Sequence, residues 1–273
     1  AIHRDVGNRR SEGRVFGNLG LVYDDLGREE DAERAYEAAL AIHREVGNRR
    51  YEGIALGNLA SLYQITGRLE LALGTNEQAM DIHREIGDRG AEGVTLGNLA
   101  GLYLDRKEIE RAEQAYKSCL AIHREVGQRR SEGVVLGDLA VLQYETGRLN
   151  LAERTLEHAL AIHREVRNLR FEGVALGNLA GLYADSGRPE QAERAYEQAL
   201  AIHREVGHAH FLGAHLCDYA RLRLMQGREK EGIRMWRKGS AILRELGDTG
   251  ELKNKVVAMR NACVQAGFPF PEE

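Results

Sequence analysis

The feature that most constrains this chain is a period. The segment AIHREVGNRR at residues 41–50 returns at 121–130 with one change, at 161–170 as AIHREVRNLR, at 201–210 as AIHREVGHAH, at 1–10 as AIHRDVGNRR and at 81–90 as DIHREIGDRG. His3, His43, His83, His123, His163 and His203 are therefore 40 residues apart each time. A fixed period of this length means stacked supersecondary units that share one continuous core, so we expect one elongated domain over residues 1–273. The first residues, AIHRDVG, read as the tail of a repeat whose beginning is missing, and without an initiator Met the chain reads as a piece of something longer.

Residues 169–208, LRFEGVALGNLAGLYADSGRPEQAERAYEQALAIHREVGH, serve as the working unit. Pro189 after Gly187-Arg188 suits the first turn of a second helix, and the acidic residues that follow suit its positive end. Gly187 closes the first helix and Gly207 the second. The series Gly27, Gly67, Gly147, Gly227 and Gly47, Gly87, Gly127, Gly247 repeats these stops, as left-handed C-terminal caps require. Only Lys107 and Arg167 break the two series.

On a helical wheel the second helix gathers Ala192, Ala195, Tyr196, Ala199, Leu200, Ile202 and Val206 on one arc, with His203 near its middle. Arg204 and Glu205 point away, so the apparent His-Arg-Glu cluster is dispersed into solvent. Repeats stack at about 8–10 Å, whereas one zinc ion needs nitrogens at roughly 2 Å, so histidines from different repeats cannot share a metal. The seventh copy has Leu243 in the histidine position. We read the ladder as packed neutral histidines with ring nitrogens bonded locally. The first helix carries Phe171, Ala175, Leu176, Leu179, Ala180, Leu182 and Tyr183 on one arc, and Gly173, Gly177, Gly181, Val174, Asn178, Ala184 and Asp185 on the other. Each interior Gly costs roughly 1 kcal/mol relative to Ala, so something must approach that face closely: a neighbouring first helix or a ligand backbone.

The spacing Leu176, Leu179, Ala180, Tyr183, Gly187, Ala192, Tyr196, Ala199 resembles the tetratricopeptide repeat. Tyr23, Tyr63, Tyr103, then Ala32, Ala72, Ala112, Ala152, and Tyr36, Tyr116, Trp236 keep the same register over nearly the whole chain. The period of 40 rather than the usual 34, with HREVGNRR replacing the closing proline, is similar to the long repeats of kinesin light chains, of the Leu-Gly-Asn adaptors and of bacterial signalling proteins. The resemblance implies an all-α, right-handed αα-superhelix: helix pairs at 9–46, 49–86, 89–126, 129–166, 169–206 and 209–246, preceded by the tail 1–6 and closed by a capping helix at 251–266. The missing cap at the other end predicts a sticky surface through which the chain self-associates.

The resemblance also places the first helices on a concave groove, where the polar residue five before the tyrosine holds a peptide backbone. Here that ladder is Asn18, Asn58, Asn98, Asp138, Asn178 and Asp218; an amide both donates and accepts, which suits main-chain groups. Bonding between neighbouring helices is the other reading. Arg14 is the one basic residue four positions earlier, so a clamp for peptide C-termini is not expected. Seven residues beyond the ladder, Asp25, Asp105, Glu145 and Asp185 make an acidic floor. Arg10, Arg50, Arg130 and Arg170 fall at the groove's edge or pair with Glu12, Glu52, Glu132 and Glu172. An extended protein segment with basic or polar side chains is the expected partner.

No constellation for catalysis, no phosphate-binding loop and no cofactor signal emerges, and we read the chain as non-catalytic. GHAHFLGAHLCDY offers His208, His210, His215, Cys217 and Asp218, but His210 and Cys217 lie two turns apart, roughly 10 Å, and His215 points elsewhere, so no metal site is expected. A net charge of −4 gives no reason to expect nucleic acid. Three unpaired cysteines, and no run that would span a bilayer, point to the cytoplasm. A sensor module of a larger bacterial signalling protein and a structural spacer remain the alternative functions.

Overall fold

The computed structural model describes residues 6–271, and these fold into helices alone. Thirteen helices run in order: α1 (Val6–Asp25), α2 (Glu29–Glu45), α3 (Arg49–Ile65), α4 (Leu69–Glu85), α5 (Arg89–Asp105), α6 (Ile109–Glu125), α7 (Arg129–Glu145), α8 (Leu149–Glu165), α9 (Leu169–Asp185), α10 (Pro189–Glu205), α11 (Ala209–Met225), α12 (Glu229–Glu245) and α13 (Thr249–Ala266). They make six antiparallel pairs and a final helix. The tail at 1–5, with His3, lies outside the described residues.

Each connection is three residues long and built the same way. After α2, the Gly47 amide donates to the Arg44 carbonyl (3.2 Å) and the Asn48 amide to that of His43 (2.8 Å). That wrap needs a left-handed residue, and Gly47 has φ 62°. Lys107 and Arg167 take the same conformation, at φ 60° and 52°, with a Cβ that crowds the backbone. Replacing either by Gly is expected to stabilise its unit by about 1 kcal/mol, read from urea unfolding. Unchanged stability in both variants would show that these turns carry no strain.

The helices fall into two compact units, residues 1–128 and 129–273. In the first, Ala32, Ala72 and Ala112 are fully buried at helix crossings, with Tyr36, Leu62 and Leu102 filling the gaps. Ala152 and Ala192 play the same part in the second, beside Leu156, Leu182 and Tyr196. α13 covers Cys217, Leu224, Trp236 and Leu243 with Val256, Met259 and Cys263. Its outer side exposes Val257 and Val264. In the first unit α1 exposes Leu19 and Val22, whose counterparts Leu59 and Leu62 are buried. No helix among the described residues is long and apolar enough to cross a membrane.

Candidate functional site

The recurrent His-Arg-Glu resolves into the joint between the two helices of a repeat. His43, His83, His163 and His203 are buried, and each ring lies on a glycine of the preceding helix. A Cβ on Gly13, Gly53, Gly133 or Gly173 would stand 2.5–2.7 Å from the Cε1 of its histidine. The close approach expected at Gly173 is therefore made by the repeat's own His203, which removes that glycine from the groove. Local bonding of the rings is corrected in part. Nδ1 of His43, His83, His163 and His203 has no hydrogen-bond partner among the described residues, whereas that of His123 lies 2.8 Å from Gln128 Oε1. Burial lowers the pKa of His43, His83 and His163, so these rings are neutral at pH 7.

Arg44 and Glu45 reach solvent as expected, but both are engaged. Arg44 Nε donates to the buried Glu52 carboxylate at 3.0 Å, and Glu45 accepts from Arg9. Glu52 also accepts from Arg49 at 2.8 Å, and Arg49 reaches on to Glu85. Arg9, Arg89 and Arg129 repeat the arrangement with Glu12, Glu92 and Glu132. Glu12, Glu52 and Glu132 are thus met by Arg9, Arg49 and Arg129, and Glu172 by Arg164 at 2.9 Å, rather than by Arg10, Arg50, Arg130 and Arg170. Of the latter, Arg50 pairs with Asp88 at 3.2 Å and Arg170 donates to His208 at 3.2 Å, while Arg10 and Arg130 are exposed.

In the first unit the ladder places Asn58 and Asn98 half-buried and Asn18 exposed, with Asp25 exposed at the end of α1. Arg14 lies over the Tyr51 ring at 5.5 Å. Asp105 accepts from Gln64 Nε2 at 2.6 Å, a bond from one first helix to the next. A Cβ on Gly17 or Gly57, beside Asn18 and Asn58, would meet nothing within 4 Å. These glycines answer to no neighbour among the described residues.

In the second unit Asp138 is exposed, yet desolvation pushes its carboxyl up to about 6. Beyond it α7, α9 and α11 form a recess of about 230 Å³. Its wall carries Tyr144, Glu145, Asn178, Asp218, Arg221 and Lys255, and its depth Gly177, Gly181 and Tyr196. Lys255 bonds Asp218 at 2.7 Å and Glu251 at 3.1 Å. Arg221 bonds Asp185 at 3.1 Å, and Tyr144 donates its hydroxyl hydrogen to the same carboxylate. Asp185 of the acidic floor and Asp218 of the ladder are thus each neutralised by a cation. The Asn178 amide and the exposed Glu145 carboxylate have no partner among the described residues, and the buried Tyr196 hydroxyl has none either. Such unmatched polar groups in a concave site favour a ligand that supplies the missing bonds.

Sequence reasoning found Glu145, Asn178, Asp185 and Asp218 but missed the cations among them. Arg221 follows Ser61, Gly101, Val141 and Gly181 in its column, and Lys255 stands where His215 and Ala175 precede it. These breaks in the repeat were the available signal. His210, considered for a metal, instead pairs with Asp248 at 2.9 Å, and a Cβ on Gly239 would stand 2.8 Å from the buried Cys217 sulfur.

Helix pairs recurring on a 40-residue period, with alanine at the crossings, define an α-helical repeat protein of the solenoid class. The tetratricopeptide-repeat profile matches residues 11–85, 51–125, 91–165 and 171–245, and the chain belongs to that family. No match was found among curated protein sequences. Several solved structures are similar. BtubC (BKLC) from P. vanneervenii is 23% identical over 74% of this chain and 84% of its own, with a TM-score of 0.65. Aspartyl phosphate phosphatase F from Bacillus subtilis is 14% identical over 97% of this chain and 75% of its own, with a TM-score of 0.71. The Rap conjugation gene regulator of plasmid pLS20, in complex with the Phr* peptide, is 14% identical over 94% and 74%, with a TM-score of 0.69. At these identities the likeness is one of fold.

Proposed function

We propose that the chain is a non-catalytic scaffold that holds an extended peptide segment along its first helices. The observation that carries this reading is the recess between α7, α9 and α11, where Asn178, Glu145 and the Tyr196 hydroxyl are unmatched beside small residues. The Asn178 amide can donate to and accept from one peptide unit, and Glu145 suits a basic or polar side chain. In the first unit Asn18, Asn58 and Asn98 offer the same amide, and the open space over Gly17 and Gly57 admits a backbone. A similar fold that carries the Phr* peptide supports a peptide as the ligand class. The recurrent histidines and the acids beside them are engaged in joints, which supports binding over catalysis as the reading.

Peptides selected from a random-sequence display library against the whole chain supply the test. Joint Asn58→Ala, Asn98→Ala and Asn178→Ala changes are expected to weaken their binding at least about tenfold, since each removes a paired amide. Undiminished affinity in a folded triple variant would overturn the reading.

The apolar face of α1 supports a further part of the proposal, pairing with a second copy of the chain through Leu19 and Val22. Sedimentation should show a concentration-dependent dimer that Leu19→Ser with Val22→Ser dissolves. A monomer at every concentration would rule this out.

A further inference from the structure

The second helices of repeats five and six, α10 and α12, leave a recess of about 430 Å³ over α11. α11 presents Leu216, Tyr219 and Arg223 to it, whereas Asp218 and Arg221 face the ladder recess. At 100° per residue these are opposite faces of one helix, so the two sites are distinct.

Comparison down the repeat columns shows what is unusual here. Arg44, Arg84 and Arg164 each bond a carboxylate eight residues on: Glu52 at 3.0 Å, Glu92 at 3.2 Å and Glu172 at 2.9 Å. In the sixth repeat that position is Leu212, and Arg204 makes no ion pair or hydrogen bond with any described residue. Arg234 and Lys238, on α12, are likewise exposed and unpaired among the described residues. All three line the same recess. The equivalent hollow one repeat earlier has Gln198 where this one has Lys238, and Tyr183 where this one has Arg223. Arg223 lies beneath, 4% exposed, over the Tyr219 ring and bonded to Glu193. Glu197 is the single acid in the lining, and Leu200, Leu216, Met235 and Tyr219 form an apolar floor.

We propose that this recess binds an acidic peptide segment, its carboxylates meeting Arg204, Arg234 and Lys238 and an intervening apolar side chain seated on Leu200, Leu216 and Met235. Arginine matches a carboxylate with paired N–H donors, and unpaired cations need shed no existing partner to do so. A nucleic acid fits less well: three cations over an apolar floor are a patch rather than a stripe that tracks phosphates, on a chain of net charge −4.

The test uses the whole chain and a short fluorescein-labelled peptide of alternating Glu and Leu, with binding read by anisotropy at low and physiological salt. Wild type is expected to bind it, and Arg204→Glu, Arg234→Glu and Lys238→Glu together to weaken binding at least about tenfold. The matching Gln variant, which removes charge without adding repulsion, shifts affinity in the same direction. The same reversal at Arg154, Arg194 and Lys253 changes affinity by no more than about twofold, because the effect is local rather than one of net charge. Asn178→Ala leaves this peptide's affinity unaltered, which separates the site from the ladder. Failure of the wild-type chain to bind would overturn the proposal. So would an equal loss in the control reversal, or tighter binding of single-stranded DNA of matched charge.

Discussion

Gly177→Ala is expected to destabilise the second unit by about 3 kcal/mol, although alanine is the better helix former by about 1 kcal/mol. The added Cβ would stand 1.9 Å from Cε1 of His215. That ring is 4% exposed, and its Nδ1 lies 3.1 Å from Nε2 of the buried His203, so it has no open direction in which to turn. Gly137, in the same column, meets nothing within 4 Å, and Gly137→Ala should instead stabilise by about 1 kcal/mol. Trp236, the only tryptophan, lies in the second unit and reports its urea unfolding by fluorescence. His215→Ala, which restores the residue type of Ala175 in that column, should relieve much of the Gly177→Ala penalty. A Gly177→Ala variant as stable as Gly137→Ala would mean that His215 does not pack where the structure puts it.

The second large effect is acid sensitivity centred on His203. Burial, and then repulsion from His208, lowers its pKa to about 4 from the ordinary 6.5. A histidine depressed in the fold takes a proton more readily when unfolded. Its stabilisation is therefore complete above pH 6.5 and is lost as pH falls toward 4, by about 3 kcal/mol at the lower end. His215 is also held well below its ordinary value, again chiefly by burial, and acts in the same direction. Asp138 opposes them: its carboxyl, pushed up to about 6, favours the folded state as pH falls through that range. The measurement is urea unfolding of an Asp138→Asn background between pH 7 and pH 4, followed at Trp236. His203→Leu, the residue found at Leu243 in the next repeat, should flatten the profile. An equal slope with and without His203 would refute its neutral burial.

Much of the fold was legible because the repeat states each element many times. Glycine in one column of turns required the left-handed stop, and the structure shows Lys107 and Arg167 held in the same conformation where glycine is absent. The buried side of each histidine followed from the wheel. The partner of that histidine did not, since a glycine thirty residues earlier signals contact only once the two helices are laid together, as Gly13 with His43 and Gly53 with His83. The adjacent arginines at 49 and 50 look alike in sequence, yet a rotation of 100° gives Arg49 the buried Glu52 and leaves Arg50 with Asp88 at a helix start.

The candidate site was legible as a column and hidden in its exceptions. Asn178, Glu145, Asp185 and Asp218 could be placed on one face by counting turns. Arg221 and Lys255 neutralise Asp185 and Asp218 on that face, and neither belongs to the column being counted. A description built on the consensus of the repeats therefore overstates its acidity. The unmatched groups that remain are the amide of Asn178, the carboxylate of Glu145 and the hydroxyl of Tyr196.

The central claim is that a peptide lies against those groups. A photoreactive benzophenone residue in place of Val141, which lines the recess, tests it most directly. A second chain carries the same residue in place of the exposed Ala161, in the hollow between α8 and α10. With a library-selected peptide bound, irradiation is expected to give a covalent adduct at position 141 that Asn178→Ala abolishes, and none at position 161. Adducts at position 161 alone, or at position 141 with no dependence on Asn178, would contradict the account.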